Sequence, residues 1–420
     1  MPRLVCLLAS VGLCSVGAFA QTMRSDWVGV CVPSTSDLAY LDSSGARVTL
    51  TVTPNFGGTI SPGTAESILH RPSDPDVFLI GGYGFVGEAR VTAPMTVSYT
   101  LITNAIGIAT QMSFDAFGNV WVADAWAGQV RRIDAAGAVT PVSIGVQPWG
   151  GGLNAGAVDP ATGDFIAGGN GALFRLPAGA STAVAWVNGL GGSVTGVGFD
   201  PCTGDVLAAV GAPANRLVRV DGNGSVTDLI APNSAIPDPN GIAVDSRGRF
   251  LTGTSQGRVF AVDRSSGRPT LVGTAGGSGA VTVVTVARLP GDGQACTFGY
   301  PCSSSYGTPW LRTETIHGVG NPVVSVTASH RPNAVGNVAI AFQPLTPPLN
   351  LDPLLGTTGC LQYLDPVTRI AVQADAAGVM RHSLPTNVSF FGASVYLQHV
   401  AIDGLQLADI TLSNAVEIRL

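Results

Sequence analysis

An all-β fold, in which a six-bladed β-propeller precedes a C-terminal β-sandwich, is predicted by three features of the sequence. The composition is rich in turn-forming residues and poor in charge, with 55 Gly, 28 Pro and 11% charged residues in a chain of 420. A pattern of about forty residues recurs through the first part of the chain. After residue 294 this pattern stops, and runs of alternating apolar residues follow. Such features favour short strands joined by many turns.

The repeat consists of an apolar strand, an Asp, a Gly-containing turn and a second strand. It is clearest in segments 110–124, 155–169, 197–211 and 240–254, and more diverged in 27–42 and 66–82. A third and a fourth strand are expected after each pair. Such a four-stranded sheet cannot bury both faces alone and packs against copies of itself around an axis. The residues that begin the second strand are 39 to 45 positions apart: Asp37, Asp76, Asn119, Asp164, Asp205 and Arg249.

These six repeats predict a propeller over residues 21–291. Residues 280–290, "AVTVVTVARLP", are expected to pair the last blade with the first, so that they or the mature N-terminus complete a mixed blade. Residues 295–420 contain runs such as "VVSVTA", "VAIAF" and "SVYLQHVAI". Their period of two predicts a β-sandwich for this C-terminal part.

Residues 1–20 predict a secretory signal peptide. Arg3 supplies the basic start, an apolar core follows, and Ala18 and Ala20 precede a cleavage site before Gln21. We therefore expect a secreted protein, which is extracellular, periplasmic or at the cell surface. No later segment has the ~18 uninterrupted apolar residues of a membrane span, so we expect no transmembrane segment.

The charged residues exclude two classes of function. All 21 basic residues are Arg, so Schiff-base chemistry on Lys is excluded. The net charge is −6 and there is no basic run, which excludes a nucleic-acid partner because nothing would displace counterions from a phosphate backbone.

Five cysteines follow the predicted signal peptide, and an exported protein is expected to form disulfides. The sequence favours a bond between Cys302 and Cys360, both in the C-terminal part. A bond between Cys31 and Cys296 is also possible. The pairing of Cys31, Cys202 and Cys296 stays open because disulfide connectivity does not follow from spacing.

The starts of the inner strands are expected to line one end of a central channel. Counting back five positions from the repeated Asp gives Thr110, Asn154, Thr195 and Asn240, and aligning the second strands adds Glu66 and Trp27. Of these, Glu66, Asn154 and Asn240 fall in alternate blades and carry the hard oxygen ligands that suit Ca²⁺. They are the candidate metal ligands, with Trp27, Thr110 and Thr195 lining the channel. The interpretation that the sequence favours is that the two Asn side chains only cap turns or bond neighbouring blades, and a bound cation is the alternative.

Other polar and aromatic residues are expected to have structural roles. Each repeated Asp precedes a Gly-containing turn, where an Asp side chain bonds its own backbone two residues on. The His residues of the C-terminal part lack metal-ligand spacing and are interpreted as surface or packing residues. The tryptophans of blades three and four are expected to pack, with a stacking platform for a sugar as the alternative. These residues are Asp115, Asp159, Asp200, Asp245; His317, His330, His382, His399; Trp121, Trp126 and Trp149.

Three resemblances to known families are carried by these motifs. "GIAT…FDAFGNVWVADAWAGQVRRIDAAGAVT" resembles an NHL-type repeat, and "PNGIAVDSRGRFL" and "LNAGAVDPATGDFIAG" are similar to blades of the regucalcin and gluconolactonase family of six-bladed propellers. The resemblance covers residues 27–290. The C-terminal layout "GYPCSSSYGTPWL", "GCLQYL" and "HSLPTNVSFFGASVYLQHV" is similar to a domain of secreted planctomycete proteins.

The family resemblance implies a metal-dependent lactonase site with a Glu and Asn residues on the inner strands, and Asn154 and Asn240 match that pattern. The "EGP"-like opening of the family is absent, and its "ND" pair is "NA" at Asn154. The sequence therefore favours an exported binding or surface-interaction protein without catalysis, whose partner at the propeller face is a small molecule, a glycan or a protein. The alternative is a Ca²⁺-dependent lactonase or esterase, in which the cation polarises the ester carbonyl.

Overall fold

A computed structural model describes most of the chain after the predicted signal peptide. The described residues are 27–32, 37–42, 44–49, 51–54, 65–71, 74, 76–93, 96–150, 152–231, 236–264, 266–275, 281–286, 294–302, 306–315, 323–355, 360–385, 393–403 and 410–419. The predicted signal peptide, residues 1–20, and His317 lie outside these ranges.

The first part of the chain forms short strands throughout. In chain order they are β1 (Val28–Val32), β2 (Asp37–Leu41), β3 (Arg47–Thr49), β4 (Thr51–Pro54), β5 (Ala65–His70), β6 (Val77–Gly82), β7 (Phe85–Ala93), β8 (Thr96–Thr103), β9 (Ala109–Phe114), β10 (Val120–Asp124), β11 (Gln129–Ile133), β12 (Val139–Pro141), β13 (Ala155–Val158), β14 (Phe165–Gly168), β15 (Asn170–Leu176), β16 (Val184–Phe199), β17 (Val206–Val210), β18 (Arg216–Val220), β19 (Val226–Ile230), β20 (Pro239–Val244), β21 (Phe250–Thr254), β22 (Arg258–Val262), β23 (Pro269–Thr274) and β24 (Val283–Val286).

These strands form a six-bladed β-propeller, as predicted. Blade one has the strand order β24-β1-β2-β3, blade three has β9 to β12, and blade six has β20 to β23. Blade two contains β5 to β8 and carries β4 as an extra outer strand, parallel to β8. Blades four and five share β16, which pairs with β15 at its start and with β17 at its end. The innermost strands β24, β5, β9, β13, β16 and β20 are neighbours in a closed ring.

The ring closes in blade one, where strands from the two ends of the propeller pair. Val28 lies opposite Val286 and Val30 opposite Val284 in an antiparallel ladder. The predicted closing strand is confirmed over Val283–Val286. One assignment was wrong: β1 is the second strand of its blade, because β24 takes the inner position that we expected for the strand after Trp27.

Each blade is buried on both faces because successive side chains of a strand point to opposite sides. In β1, Val30 packs among residues of blade six such as Leu251, whereas Cys31 packs among residues of blade two such as Ile68. All six residues of β6 are buried for the same reason. The apolar runs of the sequence therefore become the contacts between blades.

The repeated Asp residues cap the turn that leads from the inner strand to the second strand, as predicted. Oδ1 accepts the backbone N–H two residues on in three blades: from Phe117 to Asp115, from Ala161 to Asp159 and from Cys202 to Asp200, at 2.8–2.9 Å. In blade six, Asp245 Oδ1 accepts from the backbone N–H of Arg249. A Gly with positive φ completes each turn, and these are Gly118, Gly163, Gly204 and Gly248.

The C-terminal part contains ten further strands and a helical turn among its described residues. They are β25 (Gln294–Phe298), β26 (Leu311–Thr315), β27 (Val323–Thr327), β28 (Val335–Ala341), β29 (Pro344–Asn350), α1 (Asp352–Leu355), β30 (Leu361–Leu364), β31 (Thr368–Gln373), β32 (Met380–Leu384), β33 (Ser394–Ile402) and β34 (Ile410–Arg419).

Two sheets of this part pack face to face. One has the order β25-β34-β33-β28-β31 and the other β26-β27-β32, while β29 and β30 form a hairpin. Leu311 and Val323 of the smaller sheet share one buried cluster with Val338, Val395 and Val416 of the larger sheet. This is the arrangement of a β-sandwich.

Two disulfides cross-link the chain. The predicted bond between Cys302 and Cys360 is confirmed. The alternative pairing of Cys31 with Cys296 was wrong, because Cys296 on β25 is bonded to Cys202 in the Asp200 turn of blade five. Cys31 is a free, buried thiol, whose Sγ donates to the carbonyl of Ala65 at 2.9 Å.

The C-terminal part docks on the blade end that carries the Asp turns. Besides the Cys202–Cys296 bond, the Ala295 N–H donates to the Ser246 carbonyl, and Arg419 Nη1 donates to the Pro201 carbonyl, both at 2.9 Å. The predicted domain boundary at residues 291–295 falls partly outside the described ranges and stays a prediction. Among the described residues, no helix has the length and apolarity to cross a membrane.

We expect the free energy of unfolding to depend strongly on the ring-closing ladder. Val284 is 4% exposed, so Val284→Ala should lower the free energy of unfolding by about 2 kcal/mol through lost burial and a residual cavity. The matched control is Val226→Ala on the outer strand β19, where the residue is 39% exposed and the change should stay within about 0.5 kcal/mol. Urea denaturation measures both, and equal effects would contradict ring closure by β24.

Candidate functional site

The starts of the inner strands share one backbone feature. Glu66, Thr110 and Thr195 each sit where the inner strand has one residue more than its partner strand, which is a β-bulge. Asn154 lies directly before β13, and Asn240 is the second residue of β20, next to another register shift. The five residues therefore occupy equivalent places in blades two to six, as their spacing predicted.

In blade one, the equivalent residue is Thr282. Its N–H donates to the Cys31 carbonyl at 3.1 Å, just as the N–H of Asn154 donates to the Gly168 carbonyl at 3.0 Å. Trp27, which we expected at this position, instead precedes the second strand and packs against Tyr40, with ring centroids 6.4 Å apart. The sixth residue of the ring is therefore Thr282 rather than Trp27.

The hydroxyl groups of the three threonines tie the backbone of the inner ring together. Thr110 Oγ1 donates to the Ala123 carbonyl at 3.0 Å, within its own blade. Thr195 Oγ1 donates at 2.6 Å to the Pro239 carbonyl of blade six, and Thr282 Oγ1 donates at 2.8 Å to the Glu66 carbonyl of blade two. These hydroxyl protons are therefore used in hydrogen bonds that stabilise the fold.

The three residues predicted to hold a metal lie at this end of the ring, in alternate blades. Asn154 Nδ2 donates to Ser193 Oγ at 2.8 Å. Within the described residues, the structure shows no hydrogen bond of the Glu66 carboxylate or the Asn240 amide, and neither residue caps a turn there. Burial raises the pKa of Glu66. The buried Cys31 thiol is close to Glu66, and its pKa is raised by burial and then by that carboxylate.

The oxygen atoms at these six positions are of the type that Ca²⁺ prefers, but they carry little negative charge. The six positions offer hydroxyl, amide and carboxylate oxygens, which are hard ligands, but a single carboxylate, and Ca²⁺ affinity rises with the number of charged ligands. No group of three His, Cys, Asp or Glu residues able to hold a metal occurs within the described ranges.

Gln111, which the sequence analysis missed, spans the middle of the ring. From β9 in blade three, its Nε2 donates to the Val197 carbonyl of blade five. Its Oε1 accepts the N–H groups of Gly156 in blade four and Val197, both at 3.1 Å. No signal in the sequence identified it, because its partners lie in other blades, 45 and 86 residues further along the chain.

The inner strands also approach each other closely next to Gln111. A Cβ at Gly196 in blade five would lie 2.5 Å from the Cα of Gly241 in blade six, so the two backbones are in contact. Together with the side chain of Gln111, this contact links the inner strands of blades three to six. Polar groups with spare hydrogen-bonding capacity lie at the end where the inner strands begin, which we call the channel mouth.

Two aromatic side chains are exposed at the same end of the blades. The β6–β7 and β10–β11 loops lie at this end because antiparallel strands alternate in direction. These loops present Tyr83, which is 50% exposed, and Trp126, which is 74% exposed. Tyr83 bridges to Ile108, and the buried Asp124 accepts the N–H groups of Gly107 and Ile108. The aromatic pair is thus carried by a fixed backbone.

The other two tryptophans pack, as predicted. Trp121 stacks on Phe165 with ring centroids 5.9 Å apart. Trp149 is buried, and its Nε1 donates to the Gly128 carbonyl at 2.9 Å. Trp126 therefore differs from them in leaving its ring to solvent.

Three of the four described histidines have structural surroundings. His70 Nε2 bonds the Tyr40 hydroxyl at 2.8 Å, and burial lowers its pKa to about 4. His330 and His399 are buried in the C-terminal part and both bond Thr327 Oγ1. Burial lowers the pKa of His399 to about 3, so this imidazole is neutral at physiological pH.

Comparisons with known proteins support the fold. No family model matches the chain, and no curated protein is detectably similar to it in sequence. Among solved structures, a chain from a nidogen/laminin complex matches with a TM-score of 0.52 and 10% identity, covering 63% of this chain and 99% of that one. A structural genomics protein of unknown function from Bacteroides thetaiotaomicron has a TM-score of 0.43 and 13% identity, covering 61% of this chain and 68% of its own. At these identities, the likeness to the first structure shows the propeller fold alone.

We expect Gln111→Leu to destabilise the protein by about 2 to 4 kcal/mol, because it leaves buried backbone N–H and carbonyl groups of blades four and five without partners. Gln373→Leu is the control, since Gln373 is exposed and should tolerate the change. Chemical denaturation gives both values. A loss below 0.5 kcal/mol for Gln111→Leu would show that the Gln111 bonds do not hold the ring.

Proposed function

We propose that this is an exported, non-catalytic binding protein whose ligand site is the channel mouth of the propeller. One observation carries the proposal: two polar side chains without a hydrogen-bond partner among the described residues and two exposed aromatic rings lie at one end of the blades, whereas the C-terminal part docks on blades five and six at the other end. The free groups are the Glu66 carboxylate, the Asn240 amide and the rings of Tyr83 and Trp126.

The chemistry of the mouth favours an uncharged, hydroxyl-bearing ligand such as a neutral sugar. Carboxylate and amide oxygens accept hydrogen bonds from hydroxyl groups, and exposed aromatic rings supply a flat apolar surface beside them. Glu66 disfavours an anionic ligand there. Small-molecule sites commonly combine an apolar wall with a few fixed polar groups in this way. The similar solved chain comes from a complex of two proteins, so a protein ligand is the second class that we include.

Three observations support binding over catalysis. The six positions at the mouth hold one carboxyl group, the threonine hydroxyls donate to backbone carbonyls, and His70 lies at the far end of its strand against Tyr40. Hydrolysis of an ester needs a base or an acid within reach of the reacting group, in addition to whatever polarises the carbonyl.

Export is supported by the two disulfides, because such bonds persist in oxidising compartments. The predicted signal peptide agrees with this interpretation. The resemblance of the C-terminal layout to a domain of secreted planctomycete proteins points in the same direction.

A Ca²⁺-dependent lactonase or esterase is the second candidate function. It is favoured by one observation, which is that the partly buried Glu66 carboxylate lacks a hydrogen-bond partner among the described residues. The resemblance of "PNG" at Asn240 and "LNAG" at Asn154 to the gluconolactonase family supports the same set. When bound there, Ca²⁺ would polarise a carbonyl oxygen. Glu66, Asn154 and Asn240 would hold it.

The binding proposal predicts that Trp126 contributes much of the affinity at the mouth. On an array of neutral and acidic glycans, the wild-type protein should retain a neutral sugar, and Trp126→Ala should weaken that binding by about tenfold or more. Phe342→Ala, which removes an exposed aromatic ring of the C-terminal part, is the control and should bind like the wild type. Equal binding by the two variants, or no binding of any neutral glycan or protein ligand, would contradict the proposal.

Glu66→Gln separates the two candidate functions. Since burial raises the Glu66 pKa in the fold, the wild type loses stability as the pH rises above the ordinary value of 4.5 and through that raised value. Without Ca²⁺, the melting temperature of Glu66→Gln should therefore be higher than that of the wild type at pH 7. At low pH, the two melting temperatures should be equal. Millimolar Ca²⁺ should raise the wild-type melting temperature alone if the ion binds.

Hydrolysis of gluconolactone completes this test. The binding proposal predicts no turnover above the uncatalysed rate, with or without Ca²⁺. Ca²⁺-dependent turnover that disappears in Glu66→Gln would overturn the proposal and establish the lactonase.

A further inference from the structure

A second cleft lies between blade six and the C-terminal part, on the side of the propeller away from the channel mouth. It has a volume of about 420 Å³, and we call it the seam cleft. Four arginines line it: Arg247 and Arg249 from the turn after β20, Arg264 after β22, and Arg312 on β26. The acidic residues in its wall are Asp263 and Glu314.

Two of these arginines are fixed by ion pairs that leave donors unused. Arg264 pairs through Nη1 and Nη2 with Asp200, whose side chain is fully buried, and its guanidinium lies 5.6 Å from the centre of the Phe250 ring. Arg249 pairs with Asp245 through Nε and Nη2 at 2.7 Å. A guanidinium carries five N–H donors, so one carboxylate does not use them all. These pairs hold the two groups in place beside the cleft.

Arg312 has no such pair. It is exposed on β26, and the structure shows no ion pair or hydrogen bond of its side chain with any described residue. Thr297 and Thr313 add hydroxyl groups to the wall, and Thr313 Oγ1 is buried without a hydrogen-bond partner in the described part of the chain. The wall therefore combines prepositioned and free donors, which is the chemistry that binds an oxyanion.

An adjoining cleft of about 470 Å³ shares Asp263, Arg264 and Thr297 with the seam cleft. Its wall includes Tyr300, which is 76% exposed, and Trp310. Aromatic faces beside polar groups suit the apolar face of a sugar ring. The two clefts together thus offer guanidinium groups for an acidic group and aromatic rings for the sugar ring that carries it.

We propose that the seam cleft binds an acidic saccharide, whose sulfate or carboxylate group contacts Arg312 and its neighbours and whose ring lies against Tyr300 and Trp310. This site is separate from the channel mouth, where Glu66 disfavours anions. It also gives the docking of the C-terminal part a function, because both parts of the chain contribute to the wall.

The test uses three probes with one ring: galactose, galacturonate and galactose 6-sulfate, titrated into the full-length protein by calorimetry. At least one acidic probe should bind about tenfold or more tightly than galactose, and added NaCl should weaken it by screening. A preference for galacturonate identifies a carboxylate ligand, and a preference for galactose 6-sulfate identifies a sulfate ester.

Arg312→Gln should abolish this preference while leaving the melting temperature unchanged, because the residue is exposed. The matched control is Arg369→Gln, an exposed arginine on β31 that should keep the preference. Equal affinity for the three probes, no binding of either acid at 10 mM, or the same loss in both variants would overturn the proposal. Trp126→Ala should bind the acidic probe normally, so failure of the channel-mouth proposal is distinguishable from failure of this one.

Discussion

The structure depends on the pairing of β24 with β1. Each blade is a small sheet with two apolar faces, and both are buried only when the blade has a neighbour on each side. A linear row of six blades would leave one face of the first and one face of the last in water. Pairing Val283–Val286 with Val28–Val32 turns the row into a ring and covers the two clusters on either side of β1.

Closure also decides where a ligand can bind. All six inner strands run in the same direction along the axis, so their starts meet at one end, and the Asp turns of blades three to six lie at the other. The C-terminal part docks at that end on blades five and six, through Cys202, Pro201 and Ser246. Between the ends, the side chain of Gln111 and the contact of Gly196 with Gly241 link the inner strands of blades three to six. The channel mouth and the seam cleft beside blade six differ in chemistry, because the six mouth positions include one carboxyl group, whereas four arginines line the seam cleft.

The sequence predicted the repeat well and its closure less well. Apolar strands and Asp-Gly turns are local patterns, so six blades, the Asp caps and five of the six mouth positions followed from spacing. Trp27 was misplaced because hairpins within a blade look alike, and nothing local shows that β1 takes the second place. Thr282 and Gln111 gain their roles from strands far away in the chain. The Cys202–Cys296 bond likewise depends on how the two parts dock, whereas Cys302 and Cys360 lie within one part.

The most direct test of the account is amide hydrogen exchange of the native protein followed by mass spectrometry. If the closed inner ring holds the blades together, peptides covering 109–114, 155–158 and 194–199 should exchange last and at a common rate, through global unfolding. Peptides from the outer strands, such as 139–141, 226–230 and 269–274, should exchange earlier. The account would be contradicted if inner-strand peptides exchanged as early as outer-strand peptides, or if they exchanged one blade at a time. Either result would show that the inner ring does not unfold as one cooperative unit.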